Sequence, residues 1–138
     1  RDAERQMMIA TTGGEETELV QVMTAEELRA AQALVRRLPV GESVVDAILS
    51  IVRAGRPESS DLDEVVEHVG WGPGPRASQA LMLTSRARAL IDGRFSPSLD
   101  DVVALAKPVL QHRMALKFAA RHAGVTTDSI IDLLCQRI

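Results

Sequence analysis

The residues best placed to do chemistry in this chain lie in Gly70-Trp71-Gly72-Pro73-Gly74-Pro75-Arg76-Ala77-Ser78. The glycines and prolines deny regular structure before Arg76, and an apolar helical rhythm resumes after it, so a constrained loop delivers an arginine onto a helix start. A guanidinium stays charged at any working pH and its planar fork can hold two phosphate oxygens, while the helix start adds amide dipoles that favour an anion. The other fate open to Arg76 is pairing with an acidic neighbour such as Glu67, or capping of a loop carbonyl. Trp71 is expected to pack against the following helix, the alternative being an exposed anchor for a protein partner.

The remaining chemistry-bearing residues are scattered. His68, His112 and His122 lie far apart, the last two beside arginines, and read as surface or hydrogen-bonded histidines. Asp100 and Asp101 are adjacent, so on a helix they diverge, and capping explains them better than an acid and base pair. Cys135 is a single cysteine; it excludes an internal disulfide and reads as a small buried residue on the last helix. The chain contains no phosphate loop, no dinucleotide fingerprint and no His-Glu-x-x-His, so a self-contained nucleotide or zinc enzyme is not expected.

Composition points the same way. The chain has 138 residues, 46% hydrophobic but only 2% aromatic, so its core must come from Leu, Val, Ile, Ala and Met, the palette of packed helices. The net charge of −3, with both signs interspersed, gives no nucleic-acid surface, and no apolar run is long enough to span a bilayer. A cytoplasmic setting suits the cysteine usage. The chain opens on Arg1, which suits a piece of something longer.

The elements that would position Arg76 read as an all-α bundle. A short helical segment, Asp2 to Ala10, stops at Gly13-Gly14, and Gly13 to Val22 reads as a linker with Leu19-Val20-Gln21-Val22 its one candidate extended piece. Thr24-Ala25-Glu26-Glu27 is a capping box, and Leu28, Ala31, Val35 and Leu38 form one apolar face before Pro39. Glu42 to Ala54 is apolar around most of its circumference and should be the central buried helix. Asp61 to Val69 is either a turn of helix or loop. Pro75 starts a helix running to about Ile91, with Ala80, Leu83, Ala87, Leu90 and Ile91 inward and Asp92-Gly93 as a left-handed cap. Ser98-Leu99-Asp100-Asp101 starts the next, with Val102, Val103, Leu105 and Ala106 apolar, and Pro108 interrupts it before a short helix over Val109 to His112. Met114 to Phe118 is open to helical and extended readings; Thr126 caps a last helix docked through Ile130, Ile131, Leu133 and Leu134.

Several of these stretches resemble one family. Gly72-Pro73-Gly74-Pro75-Arg76-Ala77-Ser78 and its helix, Asp92-Gly93-Arg94, Asp101-Val102 and Val109-Leu110-Gln111-His112-Arg113, preceded by Leu34-Val35-Arg36-Arg37-Leu38-Pro39-Val40 and Ala54-Gly55-Arg56, are similar to the C-terminal lid of MoxR-type AAA+ ATPases, in unbroken order from about Thr24 to Arg113. The resemblance implies a lid over 24–113, the end of an ATPase core or a linker over 1–23, and a C-terminal extension with a final helix over 114–138. It implies that Arg76 is the sensor-two arginine, supported by Gly72, Gly74 and Pro75, reaching ATP and Mg2+ bound on a core that precedes the lid, with no cofactor held by this chain itself. It further implies a ring, usually a hexamer, with the chain's own core and neighbouring subunits as partners, and remodelling of client proteins, often ones with von Willebrand factor A domains. The family usually carries serine where this chain has Gly74, an exchange that loosens the loop. The alternative reading is a free-standing helical interaction module without nucleotide chemistry.

Overall fold

The computed structural model describes residues 1–14 and 20–138, which divide into two compact units, Arg1–Ala30 and Ala31–Ile138. In the first, α1 (Asp2–Thr12) buries none of its side chains and ends at Gly13. The extended piece expected from Leu19 begins outside the described residues, and Val20 to Val22 are neither helix nor strand. The second helix, α2 (Ala25–Arg37), starts at the expected capping box, where Thr24 N–H donates to Glu27 Oε2 at 2.7 Å and Glu27 N–H to Thr24 Oγ1 at 3.2 Å. Its apolar face is covered only in part. Leu28 is 50% exposed and Ala31 and Val35 are half-buried, while Leu38, just past the helix, is buried. An amphipathic pattern records which face is apolar and not what covers it.

The larger unit is built around α3 (Glu42–Ala54), α5 (Pro75–Ile91), α6 (Leu99–Leu110) and α8 (Thr127–Cys135). Val44, Ala47, Ile48, Ile51, Val52 and Ala54 of α3 are buried, so it is the central helix its sequence requires. The buried seam of α5 is Ala77, Leu81, Ser85 and Ala89, one every four residues, not the expected set. Ala80, Leu83, Ala87 and Leu90 are half-buried and Ile91 is 84% exposed. Three small residues in four let α5 approach α6 closely, so the seam follows size where a hydrophobicity pattern follows the larger side chains. On α6 the buried residues are Asp101, Val102, Ala106, Val109 and Leu110, and Val103 faces outward.

Pro108 does not interrupt α6. The helix runs to Leu110, because proline removes only one donor near its end, and that donor would have met the carbonyl of the exposed Ala104. At the close of α5, Gly93 takes φ +73°, with its N–H on Leu90 O at 3.0 Å and Arg94 N–H on Ala89 O at 2.8 Å, the paired bonds of a left-handed glycine cap.

Two segments left open by the sequence resolve as α4 (Asp63–His68) running into β1 (Val69–Trp71), and β2 (Ala115–Leu116) running into α7 (Phe118–His122). The strands pair antiparallel, Val69 with Leu116 and Trp71 with Ala115. Gly70 and Trp71 therefore lie in regular structure, and the irregular stretch begins only at Gly72. After Gly124, at φ +80°, Thr126 caps α8 by accepting Ser129 N–H at 3.0 Å, and Ile130, Ile131 and Leu134 dock it into the core. Lys107 and Asp132, 2.7 Å apart, tie α8 to α6. Cys135 is half-buried on α8, and burial pushes its thiol pKa up.

One buried charge knits α5 to α6. Asp101 is 2% exposed and accepts both terminal nitrogens of Arg94 at 2.7 Å, Ser98 N–H at 2.8 Å, and lies 3.2 Å from Arg88 Nε. The Arg94 bonds, against the opposing effect of burial, hold its carboxyl down at about 2. Asp101→Asn should cost about 2–3 kcal/mol, read as a lower urea midpoint. Because the folded pKa lies below the unfolded value of about 3.9, the carboxylate's contribution is complete above that value and fades as pH falls through about 2. Wild type and variant should therefore converge in stability across that acid window.

Candidate functional site

The segment that presents Arg76 is pressed onto the end of α3. A Cβ on Gly72 would sit 2.5 Å from Gly55 O and 2.7 Å from Arg56 Cα, so glycine is required by the close approach of two backbones. Next to it Pro73 is buried, and its ring would lie 3.0 Å from a Cβ on Gly55. Arg56 Nε–H donates to Pro73 O at 2.8 Å. Pairs of residues from the two segments thus interlock, Gly55-Arg56 against Gly72-Pro73.

Gly74 then acts as N-cap with φ −90° and ψ −175°, accepting Ala77 N–H at 2.9 Å, and Pro75 is the first residue of α5. That backbone suits any residue, and nothing lies within 4 Å of a Cβ built on Gly74. The freedom expected from this glycine is therefore not needed for the loop's path, which is fixed one and two residues earlier. Gly74→Ser should be accommodated and should raise stability by about 0.3 kcal/mol through a side-chain cap, measured as a small rise in urea midpoint.

Arg76 is the second residue of this 17-residue helix and is exposed. Among the described residues it makes no hydrogen bond and no ion pair, so the pairing with Glu67 that the sequence left open is not made. Beside the helix start, Arg56, Glu58, Trp71, Gly72, Gly74 and Pro75 line a shallow concavity of about 310 Å³. Trp71 is 61% exposed, so it does not pack down on α5 as expected; its backbone is engaged in β1 instead.

The other candidates separate as the sequence suggested. His68 ends α4, His122 meets Phe118 edge to face with centroids 5.1 Å apart on α7, and His112 lies against Arg113. Among the described residues no three His, Cys, Asp or Glu side chains are grouped to hold a metal ion. A guanidinium at a helix start, without a partner among the described residues, has the charge and donor geometry to take an anion such as a phosphate. Sequence reading gave Arg56 no role: it was legible only as part of the motif Ala54-Gly55-Arg56, since its acceptor is a backbone carbonyl 17 positions away.

Residues 64–134 match the AAA lid domain family. The Mycobacterium tuberculosis protein named chaperone MoxR1 is 28% identical over 119 residues, covering 86% of this chain and 32% of that protein. YeaC of Bacillus subtilis, described as uncharacterized, is 31% identical over 110 residues, covering 80% of this chain and 32% of YeaC. The crystal structure of an ATPase candidate from Cytophaga hutchinsonii superposes on the whole chain with a TM-score of 0.86 at 20% identity, over 42% of that protein's chain, a likeness of fold. The chain thus spans about a third of the length of the curated relatives it matches. No helix among the described residues is long and apolar enough to cross a membrane. The family match takes in the Arg76 loop, the Arg94–Asp101 cluster and the docking of α8, and with the MoxR1 similarity it places the chain in the AAA lid domain family, as a lid of the MoxR type.

Proposed function

We propose that this lid closes over ATP and Mg2+ bound on a preceding nucleotide-binding core, and that Arg76 is its sensor-two arginine. The observation that carries the reading is an exposed arginine, without a partner among the described residues, at the second position of a long helix, on a loop whose backbone is locked against α3. An arginine left without an internal partner contributes nothing to this fold, and its helix start favours an incoming anion. Closing and opening with the phosphate state would turn hydrolysis into movement between lid and core, and in a ring of subunits, a hexamer on the family's pattern, that movement would remodel client proteins. Client domains of the von Willebrand factor A type and a cytoplasmic setting belong to the same proposal. The exposed Met7, Met8, Ile9 and Leu28 are side chains that a core or neighbouring subunit could cover.

Titration calorimetry tests the division of labour. This chain alone should bind MgATP no more tightly than about millimolar, since one arginine cannot offset the cost of holding a nucleotide without a cradle. Micromolar binding to this chain by itself would contradict a lid that depends on a separate core.

A further inference from the structure

We infer that Arg56 is the positioning residue for Arg76, acting through the carbonyl of Pro73. The inference rests on the nucleotide-sensing reading of Arg76. Among the described residues, the bond from Arg56 Nε at 2.8 Å is the only side-chain hydrogen bond to residues 72–74, and it comes from the turn just past the end of α3, the central helix of the unit. Pro73 is buried and stands three residues before Arg76, with Pro75 between them limiting the backbone's freedom. Gly72 already touches the backbone of Gly55 and Arg56, so the hydrogen bond fixes how that close contact is registered along the chain. A shift of Pro73 along α3 would carry the whole start of α5 with it, and a displacement of about 1 Å at a group aimed at a reacting phosphate can cost a large factor in rate.

Arg56 is well suited to this task because its Nε sits four bonds from Cα, within reach of a carbonyl beside its own backbone. Its terminal nitrogens make no hydrogen bond or ion pair among the described residues, so the position needs the Nε donor and not the charge. That distinction gives the test its variants. Glutamine places an N–H at the same number of bonds from Cα without a charge; methionine places a methyl group there.

In the intact ATPase, Arg56→Met should lower kcat roughly tenfold with KM little changed, and Arg56→Gln should stay within about twofold of wild type. Combined with Arg76→Ala, Arg56→Met should slow hydrolysis no further, because two residues serving one interaction are not additive. A glutamine variant as slow as methionine, or a methionine effect of equal size with and without Arg76, would overturn the inference. The chain has one tryptophan, Trp71, immediately before Gly72, and its fluorescence anisotropy reports the loop without any hydrolysis. Arg56→Met should lower that anisotropy in this chain and Arg56→Gln should not; an unchanged signal with methionine overturns the inference. Arg76→Ala with wild-type hydrolysis would instead remove the sensing role of Arg76, and the anisotropy would still decide whether Arg56 holds the loop.

Discussion

Replacing Arg76 by alanine should slow ATP hydrolysis by the intact protein roughly 100-fold while leaving its folding and assembly unchanged. The stability half of that expectation comes from the geometry, and the rate half from the proposed sensing role. The side chain is exposed and makes no hydrogen bond or ion pair among the described residues, so its removal takes nothing from this fold. A guanidinium aimed at a departing phosphate stabilises charge that grows in the transition state, so its loss should appear mainly in kcat and less in KM. Arg76→Lys should recover only part of the rate, because an ammonium is a point charge without the planar fork. The check is steady-state hydrolysis beside a size measurement of the assembled protein. An unchanged rate in a correctly assembled variant would sink the sensing role.

Gly72→Ala should be the most damaging small substitution in the loop, costing about 3 kcal/mol and showing as a lower urea midpoint. The new methyl would meet Gly55 O at 2.5 Å and Arg56 Cα at 2.7 Å, and both are backbone atoms at the end of a buried helix, which cannot swing aside as a flexible side chain would. Gly55→Ala meets the Pro73 ring at 3.0 Å and Leu134 Cδ1 at 3.2 Å, so its effect should be smaller. Gly74→Ala meets nothing within 4 Å and should be close to neutral. Equal midpoints for the Gly72 and Gly74 variants would mean that the loop is not seated on α3 as described. Because the same contact sets where α5 begins, Gly72→Ala should also slow hydrolysis in the intact protein beyond what its loss of stability explains.

Local signals carried most of the helices. The bounds of α3, the proline at the first position of α5, the glycine cap at Gly93 and the capping residue Thr126 were legible because each depends on residues within a few positions of one another. What escaped depends on distant parts of the chain. Strands of three and two residues carry no periodicity, and β1 finds its partner only after α5 and α6 have folded back. The seam of α5 fell on a different face because Ala77, Ser85 and Ala89 are small enough to bring a neighbouring helix close. Asp101 was legible as a helix-start residue, but its pairing with Arg94 and Arg88 requires the turn between α5 and α6.

At the site the same division holds. Arg76 and Gly72 stood out by their local company, whereas the clamp from Arg56 crosses from one motif to another, and neither motif by itself shows the pairing. Gly74 drew attention as a departure from the family pattern, yet its backbone is ordinary and its surroundings open. The rigid part of the loop is Gly72-Pro73.

The most direct measurement is a structure of the intact protein bound to a non-hydrolysable ATP analogue with Mg2+. The lid account predicts a guanidinium nitrogen of Arg76 within about 2.7–3.0 Å of a terminal phosphate oxygen in subunits that hold nucleotide, with Arg56 still on Pro73 O. Arg76 turned to solvent or paired with a protein carboxylate in every nucleotide-bound subunit would contradict it.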